Sequence, residues 1–179
     1  MGECRDQDGS VVDQTAGRSP APCRIRLAGT ADRASMVRLL RERWAGPLVV
    51  SRGRIHDATR LRALLAEDAD GRVGLATFRI DDAGAELVTL DAVIQRRGIA
   101  TALLRAVTEA ATAARSRRLW LITTNDNVDA LRFYQRQGLR LVAVHRGAVD
   151  EARRLKPQIP IVGEHEIEVH DELELERWL

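Results

Sequence analysis

Gln95-Arg96-Arg97-Gly98-Ile99-Ala100 stands between a run of strand type and a run of helix type. Ahead of it, residues 86–93 are β-branched and apolar. Behind it, residues 98–115 place Ile99, Leu103, Val107 and Ala110 on one face of an amphipathic helix. A strand that turns through a glycine into a helix leaves the first helical N–H groups unpaired and partly positive. Phosphate is a natural ligand for those donors. Gly98 lets the backbone approach closely, and the small Ala100 and the hydroxyl of Thr101 leave room in the first turn. Alone the signal is weak, because most glycines at such a turn are only turns.

Upstream, residues 24–27 alternate like a strand, and Thr30 is the expected cap of a helix ending at Trp44. Met36, Val37, Leu40 and Trp44 share one face of it, and Gly46-Pro47 stops it. Residues 48–50 read as a short strand and residues 51–59 as an ordered loop carrying Arg52, Arg54 and His56. Residues 61–66 fit helix or strand by themselves, and the Asp70-Gly71 turn favours the strand; with 73–80 and 86–93 they read as an antiparallel meander turning at Asp70-Gly71 and at 81–85. Downstream, Leu119-Trp120-Leu121-Ile122-Thr123 has the continuous apolar character of a strand buried on both faces. Asn127 caps a helix that runs to Gln137, with Gly138 beyond its end. Residues 139–144 form another strand, 150–156 a short helical or irregular excursion, and the alternation over 164–175 predicts a strand closing the sheet. The expectation is one α/β domain with a mixed sheet over residues 23–179. Residues 1–22, polar and without periodicity, read as a disordered leader.

The chain has 179 residues, 45% hydrophobic and 30% charged, enough to bury a core without disulfides or a structural metal. No apolar run is long enough for a membrane helix, and the polar start is not a secretory signal. Cys4 and Cys23 are too few for a disulfide framework or a four-cysteine zinc site, and read as reduced thiols of a cytoplasmic protein. The net charge of +2 hides an acidic end: residues 157–179 carry seven acids and one base. Aromatics are 3% and no dense basic stripe exists, which argues against a nucleic-acid partner. The four histidines and two cysteines show no metal-ligand spacing.

A second segment follows the buried strand: Asn127-x-x-Ala130-x-x-Phe133-Tyr134-x-x-x-Gly138-Leu139. Together with Gln95-x-x-Gly98-x-Ala100 it resembles the GNAT superfamily of acyl-CoA-dependent N-acyltransferases. That family reads Q/R-x-x-G-x-G/A after its fourth strand and N-x-x-A-x-x-F/Y-Y-x-x-x-G-F after its fifth. The element order agrees from residue 23 onward. The loop here is shorter than is common in the family and lacks proline, which leaves open which residue of 90–93 faces the acyl carbonyl. The resemblance implies that those two strands splay apart around acetyl-CoA. The pyrophosphate would meet backbone N–H groups of Arg96, Arg97, Gly98, Ile99, Ala100 and Thr101. The pantetheine would pair with the strand edge at Asp91, Ala92 and Val93, and Asn127 would contact it or hold the splay open.

The resemblance implies acetyl transfer to a primary amine by direct attack on the thioester. Tyr134, the chain's only tyrosine, would protonate the leaving thiolate. Glu86 is the candidate base, acting directly or through water, with Asp91 and His145 as alternatives. Strict alternation puts Glu86 on the face of Val88 and Leu90 and Asp91 on the other, so that only one faces the acceptor. Arg52, His145 and Arg146 are the candidate acceptor contacts, with Arg43, Trp44, His56 and Glu164 nearby in the expected layout. Inward arginines would suit an anionic acceptor, and the acidic closing strand a cationic amine. The compact chain favours a small-molecule acceptor over a protein amine. A non-catalytic acyl-CoA sensor is the reading from another class; a Rossmann-like nucleotide domain is disfavoured by the missing G-x-G-x-x-G. Homodimers are a family habit that the sequence itself does not show.

Overall fold

The computed structural model describes residues 23–69, 71–94 and 97–179. The leader expected over 1–22 lies outside the described residues. In chain order the elements are β1 (Arg24–Leu27), α1 (Arg33–Trp44), β2 (Leu48–Ser51), β3 (Arg54–Asp57), β4 (Arg62–Asp68), β5 (Gly71–Asp81), β6 (Gly84–Ala92), α2 (Ile99–Ala113), β7 (Arg118–Thr124), α3 (Val128–Arg136), β8 (Arg140–His145), α4 (Ala148–Leu155) and β9 (Glu172–Trp178). Seven strands form one mixed sheet in the order β1-β4-β5-β6-β7-β9-β8, and β2 with β3 forms a separate hairpin. Every pair in the large sheet is antiparallel except β6 with β7.

The sheet is buried on both faces by two apolar clusters. On one face Ile99, Leu103, Leu104 and Val107 of α2 pack on Leu64, Ala76, Phe78, Leu87 and Leu121, together with Tyr134 of α3. On the other, Met36 and Leu40 of α1 and Val49 of β2 pack on Ala63, Leu65, Leu75 and Val88. Each such leucine contributes about 1.5–3 kcal/mol through the area it removes from water. Gly74 sets how closely α2 lies on the sheet. A Cβ there would sit 2.7 Å from Ile99 Cγ2 and 2.9 Å from the Asp91 carbonyl oxygen. No helix among the described residues is long and apolar enough to cross a membrane.

Three local expectations are corrected. The start of α1 is prepared by a 3-10 turn, Thr30–Asp32, and Asp32 rather than Thr30 makes the capping contact. Its carboxylate accepts the Gly29 N–H at 2.8 Å and is held by Arg26 and Arg72. Residues 51–59 are not a loop, because Arg54–Asp57 pairs with β2. Arg52 (φ +48) and Gly53 (φ +70) take the two left-handed positions of the tight turn between them. Arg-Gly is not the Asn-Gly signature from which such a turn is usually read, so the hairpin was hidden.

The closing strand begins at Glu172, eight residues later than its alternation suggests, and inserts between β7 and β8. Side chains occupy the backbone groups that a longer ladder would need. Asn125 Oδ1 accepts the N–H of His170 and of Asp171, and Asn125 Nδ2 donates to the Glu168 carbonyl. Asp126 Oδ2 accepts the N–H of Glu164, which opens a 3-10 turn, Glu164–Glu166.

Candidate functional site

The parallel pair β6–β7 has only three rungs: Ala85↔Leu119, Glu86↔Trp120 and Leu87↔Leu121. Beyond them β6 continues to Ala92 against β5, and β7 continues to Thr124 against β9. The sheet therefore opens between the two strands, and the β6 edge facing the opening is unpaired from Val88 onward among the described residues. A free strand edge is a template for an extended ligand with amide groups. Of the three residues expected to pair there, Val93 gives its N–H to the Val73 carbonyl on the β5 side.

α2 begins at the end of this opened strand. Gly98 is its N-cap at φ +73, and its carbonyl accepts the Ala102 N–H. The N–H groups of Ile99, Ala100 and Thr101 have no acceptor among the described residues. A Cβ at Gly98 would meet nothing within 4 Å among the described residues. The side chain of Arg97 reaches Asp68 at 3.3 Å. Arg96 lies outside the described residues. Unpaired helical donors beside an open strand edge fit an extended ligand ending in phosphates.

Asn127 caps α3, its Oδ1 accepting the Ala130 N–H at 2.9 Å. Its carbonyl oxygen is thereby committed, and its amide N–H groups remain for any contact with a ligand. Tyr134 is buried at 9% exposure, edge-on to Phe133, with no hydrogen-bond partner for its hydroxyl among the described residues. Burial raises its phenol above the ordinary range, so it keeps its proton through neutral pH.

The opposite face carries the charged groups. A bulge corrects the expected alternation of β6. Thr77 pairs with Thr89 and Phe78 with Leu87, so Val88 has no opposite number. The extra residue resets the phase of the strand. Glu86 and Asp91 consequently reach the same face, the one covered by α1 and the β2–β3 hairpin. Glu86 is 2% exposed and engaged at both oxygens: Ser51 Oγ donates to one at 2.8 Å and Arg79 Nε to the other at 2.5 Å. His56 Nε2 lies 4.0 Å away, and burial holds His56 below its usual pKa against the pull of Glu86. Asp91 accepts from Arg43 Nε at 3.1 Å through Oδ2.

Two more carboxylates, not singled out in the sequence, join them from β9. Glu172 and Glu174 are 3% and 5% exposed. Glu174 is bound by Arg118, by His145 at 2.9 Å and by Arg52 at 3.6 Å. Glu172 accepts the backbone N–H of Arg52 at 3.0 Å, and burial raises its pKa. Between β6 and β9 lies Trp120, with the guanidinium groups of Arg52 and Arg118 over its ring at 5.7 and 5.3 Å. His56 Nε2, Asp91 Oδ1 and Trp120 Nε1, all on this face, are buried without a partner. The residues missed do leave a trace. Glu172-Leu173-Glu174-Leu175-Glu176 alternates, but sequence alone does not reveal that the acidic side of this strand is covered.

The structure thus gathers Glu86, Asp91, Arg52 and His145 on one face. Arg52 spends its charge on Trp120 and Glu174, so it does not stand as a free anion receptor. Arg146 is exposed in the turn after β8 and is not brought to the cluster; Glu164 is exposed as well. A shallow concavity lined by Val128, Leu131, Arg132 and Gln135 runs along α3, and another lies where the end of β9 meets β8.

Residues 33–139 match the model of the acetyltransferase (GNAT) family. The uncharacterized Bacillus subtilis (strain 168) protein YdhI is 42% identical over 131 residues, covering 73% of this chain and 82% of its own. A second Bacillus subtilis (strain 168) protein, YxbD, also uncharacterized, is 38% identical over 137 residues, covering 76% and 86%. Among solved structures, the IAA acetyltransferase from Bacillus cereus ATCC 14579 superposes with a TM-score of 0.69 at 19% identity, over 88% of this chain and 100% of that one. A GNAT family acetyltransferase from Elizabethkingia anophelis with acetyl-CoA bound gives 0.62 at 18% identity, over 88% and 98%. The opened β6–β7 pair, the glycine-capped α2 and these matches agree: the chain belongs to the GNAT acetyltransferase family.

Proposed function

We propose that the protein transfers an acetyl group from acetyl-CoA to the primary amine of a small molecule. The observation that carries this reading is the three-rung β6–β7 pair, with the unpaired N–H groups of α2 on one side and buried carboxylates on the other. Acetyl-CoA supplies the acyl group already activated as a thioester. The N–H groups of Ile99, Ala100 and Thr101 hold its phosphates, with Arg96, Arg97 and Gly98 completing the loop. The edge at Asp91, Ala92 and Val93 aligns its amide-bearing arm, and Asn127 borders the same opening. Tyr134, protonated at neutral pH, places a hydroxyl donor for the leaving sulfur.

The amine enters from the face of α1 and the hairpin. Glu86 organises that face. It ties Ser51 and the hairpin to β6 and pairs with Arg79. The hairpin tip binds Glu86 and Glu172, and this cover over the carboxylates favours a small acceptor. The acidic surroundings, with Arg52 already neutralised, favour a cationic amine; His145 and Arg52 line its approach.

Calorimetric titration with acetyl-CoA tests the cofactor half. Wild-type protein is expected to bind in the micromolar range, about −8 kcal/mol. Gly98→Glu, which puts a carboxylate at the helix start, is expected to abolish binding. Gly98→Ala separates charge from conformation, since a left-handed alanine costs about 1–2 kcal/mol. Folded wild-type protein that binds neither acetyl-CoA nor CoA would overturn the reading.

A further inference from the structure

We propose that Glu172, on β9, is the residue that accepts the proton of the acceptor amine. The inference rests on the acetyltransferase reading above and assigns a role within its acceptor site.

Four observations place it there. First, Glu172 pairs across β9 with Thr124, three residues beyond the last β6–β7 rung at Leu121. It therefore lies where the strands have already parted, whereas Glu86 sits within the paired part. Second, adjacent residues of the hairpin tip bind the two carboxylates: Ser51 Oγ holds Glu86 and the Arg52 N–H holds Glu172. The two acids thus flank one turn and share one face. Third, both oxygens of Glu86 are already engaged, one by Ser51 Oγ and the other by Arg79 Nε. Glu172 makes a single hydrogen bond among the described residues, through Oε2, and its Oε1 makes none. Fourth, the Trp120 N–H and Asp91 Oδ1 are buried on the same face without partners, so this face holds polar groups that the chain itself does not satisfy. Such groups are expected where a polar ligand completes the site.

The charged groups around Glu172 are Arg52 of the hairpin, His145 of β8, Glu174 of β9 and Glu86 of β6; its β7 neighbour Thr124 is neutral. Burial outweighs the opposing pull of Arg52 and His145 and raises its pKa, which suits a carboxylate that must accept a proton. The step balances as R–NH3⁺ plus Glu172–COO⁻ giving R–NH2 plus Glu172–COOH. The neutral amine then forms its N–C bond as the C–S bond breaks. Tyr134 gives its proton to the departing thiolate and takes up the second amine proton in its place, and Glu172 returns the first to water.

The test compares wild type, Glu172→Gln and Glu86→Gln, with acetyl-CoA and n-butylamine as the probes. Glutamine at 172 can still accept the Arg52 N–H, so the hairpin keeps its anchor. All three proteins are first titrated with acetyl-CoA. Failure of the wild type to bind would sink the acetyltransferase reading itself; retained binding isolates the question of Glu172. Thiol release is then followed against pH. The expected result is a rate lower by about 10²–10⁴-fold in Glu172→Gln, with loss of the acidic limb seen in the wild type. Glu86→Gln is slower but keeps that limb. Independently of turnover, carboxyl-labelled glutamate NMR should show one carboxyl titrating above the ordinary glutamate range, absent from Glu172→Gln. A limb that survives in Glu172→Gln, or a wild-type spectrum without the shifted carboxyl, would overturn the proposal.

Discussion

At the scale of single residues, the site holds groups in states that a folded core normally avoids. Glu172 is a charge in a buried place, and the sign of its effect on stability follows. Its pKa is raised on folding, so the native state binds the proton more tightly than the unfolded chain. The associated stability is present below the unfolded value and is lost as pH rises through the folded one. Glu172→Gln is therefore expected to melt higher than wild type in neutral buffer and to lose that advantage near pH 4, a comparison that calorimetry makes directly. A residue kept for chemistry at a cost in stability behaves in this way. Tyr134 makes the complementary case. Removal of its hydroxyl breaks no hydrogen bond among the described residues. Tyr134→Phe is thus expected to fold and to bind acetyl-CoA like wild type while releasing thiol about 10–10³-fold more slowly. Equal turnover in the two proteins would restrict the tyrosine to packing.

At the scale of elements, α2 and α3, which would position the cofactor, were readable, and the β6 bulge, the hairpin and the start of β9, which would position the acceptor, were not. α2 and α3 carry strong amphipathic patterns, a glycine or asparagine at their starts and apolar strands before them, so their placement follows from local chemistry. The bulge at Val88 has no local signature, because it arises from how β5 and β6 pair. It nonetheless decides that Glu86 and Asp91 share a face. The hairpin turned on Arg52 escaped for a related reason: an arginine at φ +48 is held there by tertiary contacts with Glu172, Glu174 and Trp120 rather than by its own preference. The late start of β9 is set by Asn125 and Asp126, forty residues away in the chain. Gly74 offers a test of element packing. Gly74→Ala drives a methyl group against Ile99 and the Asp91 carbonyl, so α2 must lift from the sheet. The expected cost is about 1–3 kcal/mol, read as a lower denaturant midpoint, with weaker acetyl-CoA binding because the helix start shifts.

At the scale of the whole molecule, the two ends of the sheet are secured by different means. β1 is held by an ionic knot in which Arg26 bridges Asp32 and Glu67, and Arg72 joins Asp32. The guanidinium of Arg26 lowers the pKa of both carboxyls. Their contribution is present above the unfolded values and disappears as pH falls through and below about 4. Amide exchange of β1 is accordingly expected to accelerate on acidification before that of β5 and β6; uniform acceleration across the sheet would contradict this. The far end is secured by position instead. β9 lies between β7 and β8, though it comes after both in the chain. Spatial order and order of synthesis therefore disagree. A chain emerging from the ribosome can assemble the meander, α2, β7 and α3 while β8 still waits for its neighbour. The half of the molecule that would grip the acyl donor is built first. The half that would admit the amine is completed only when β9 slides into place, bringing Glu172 and Glu174 with it.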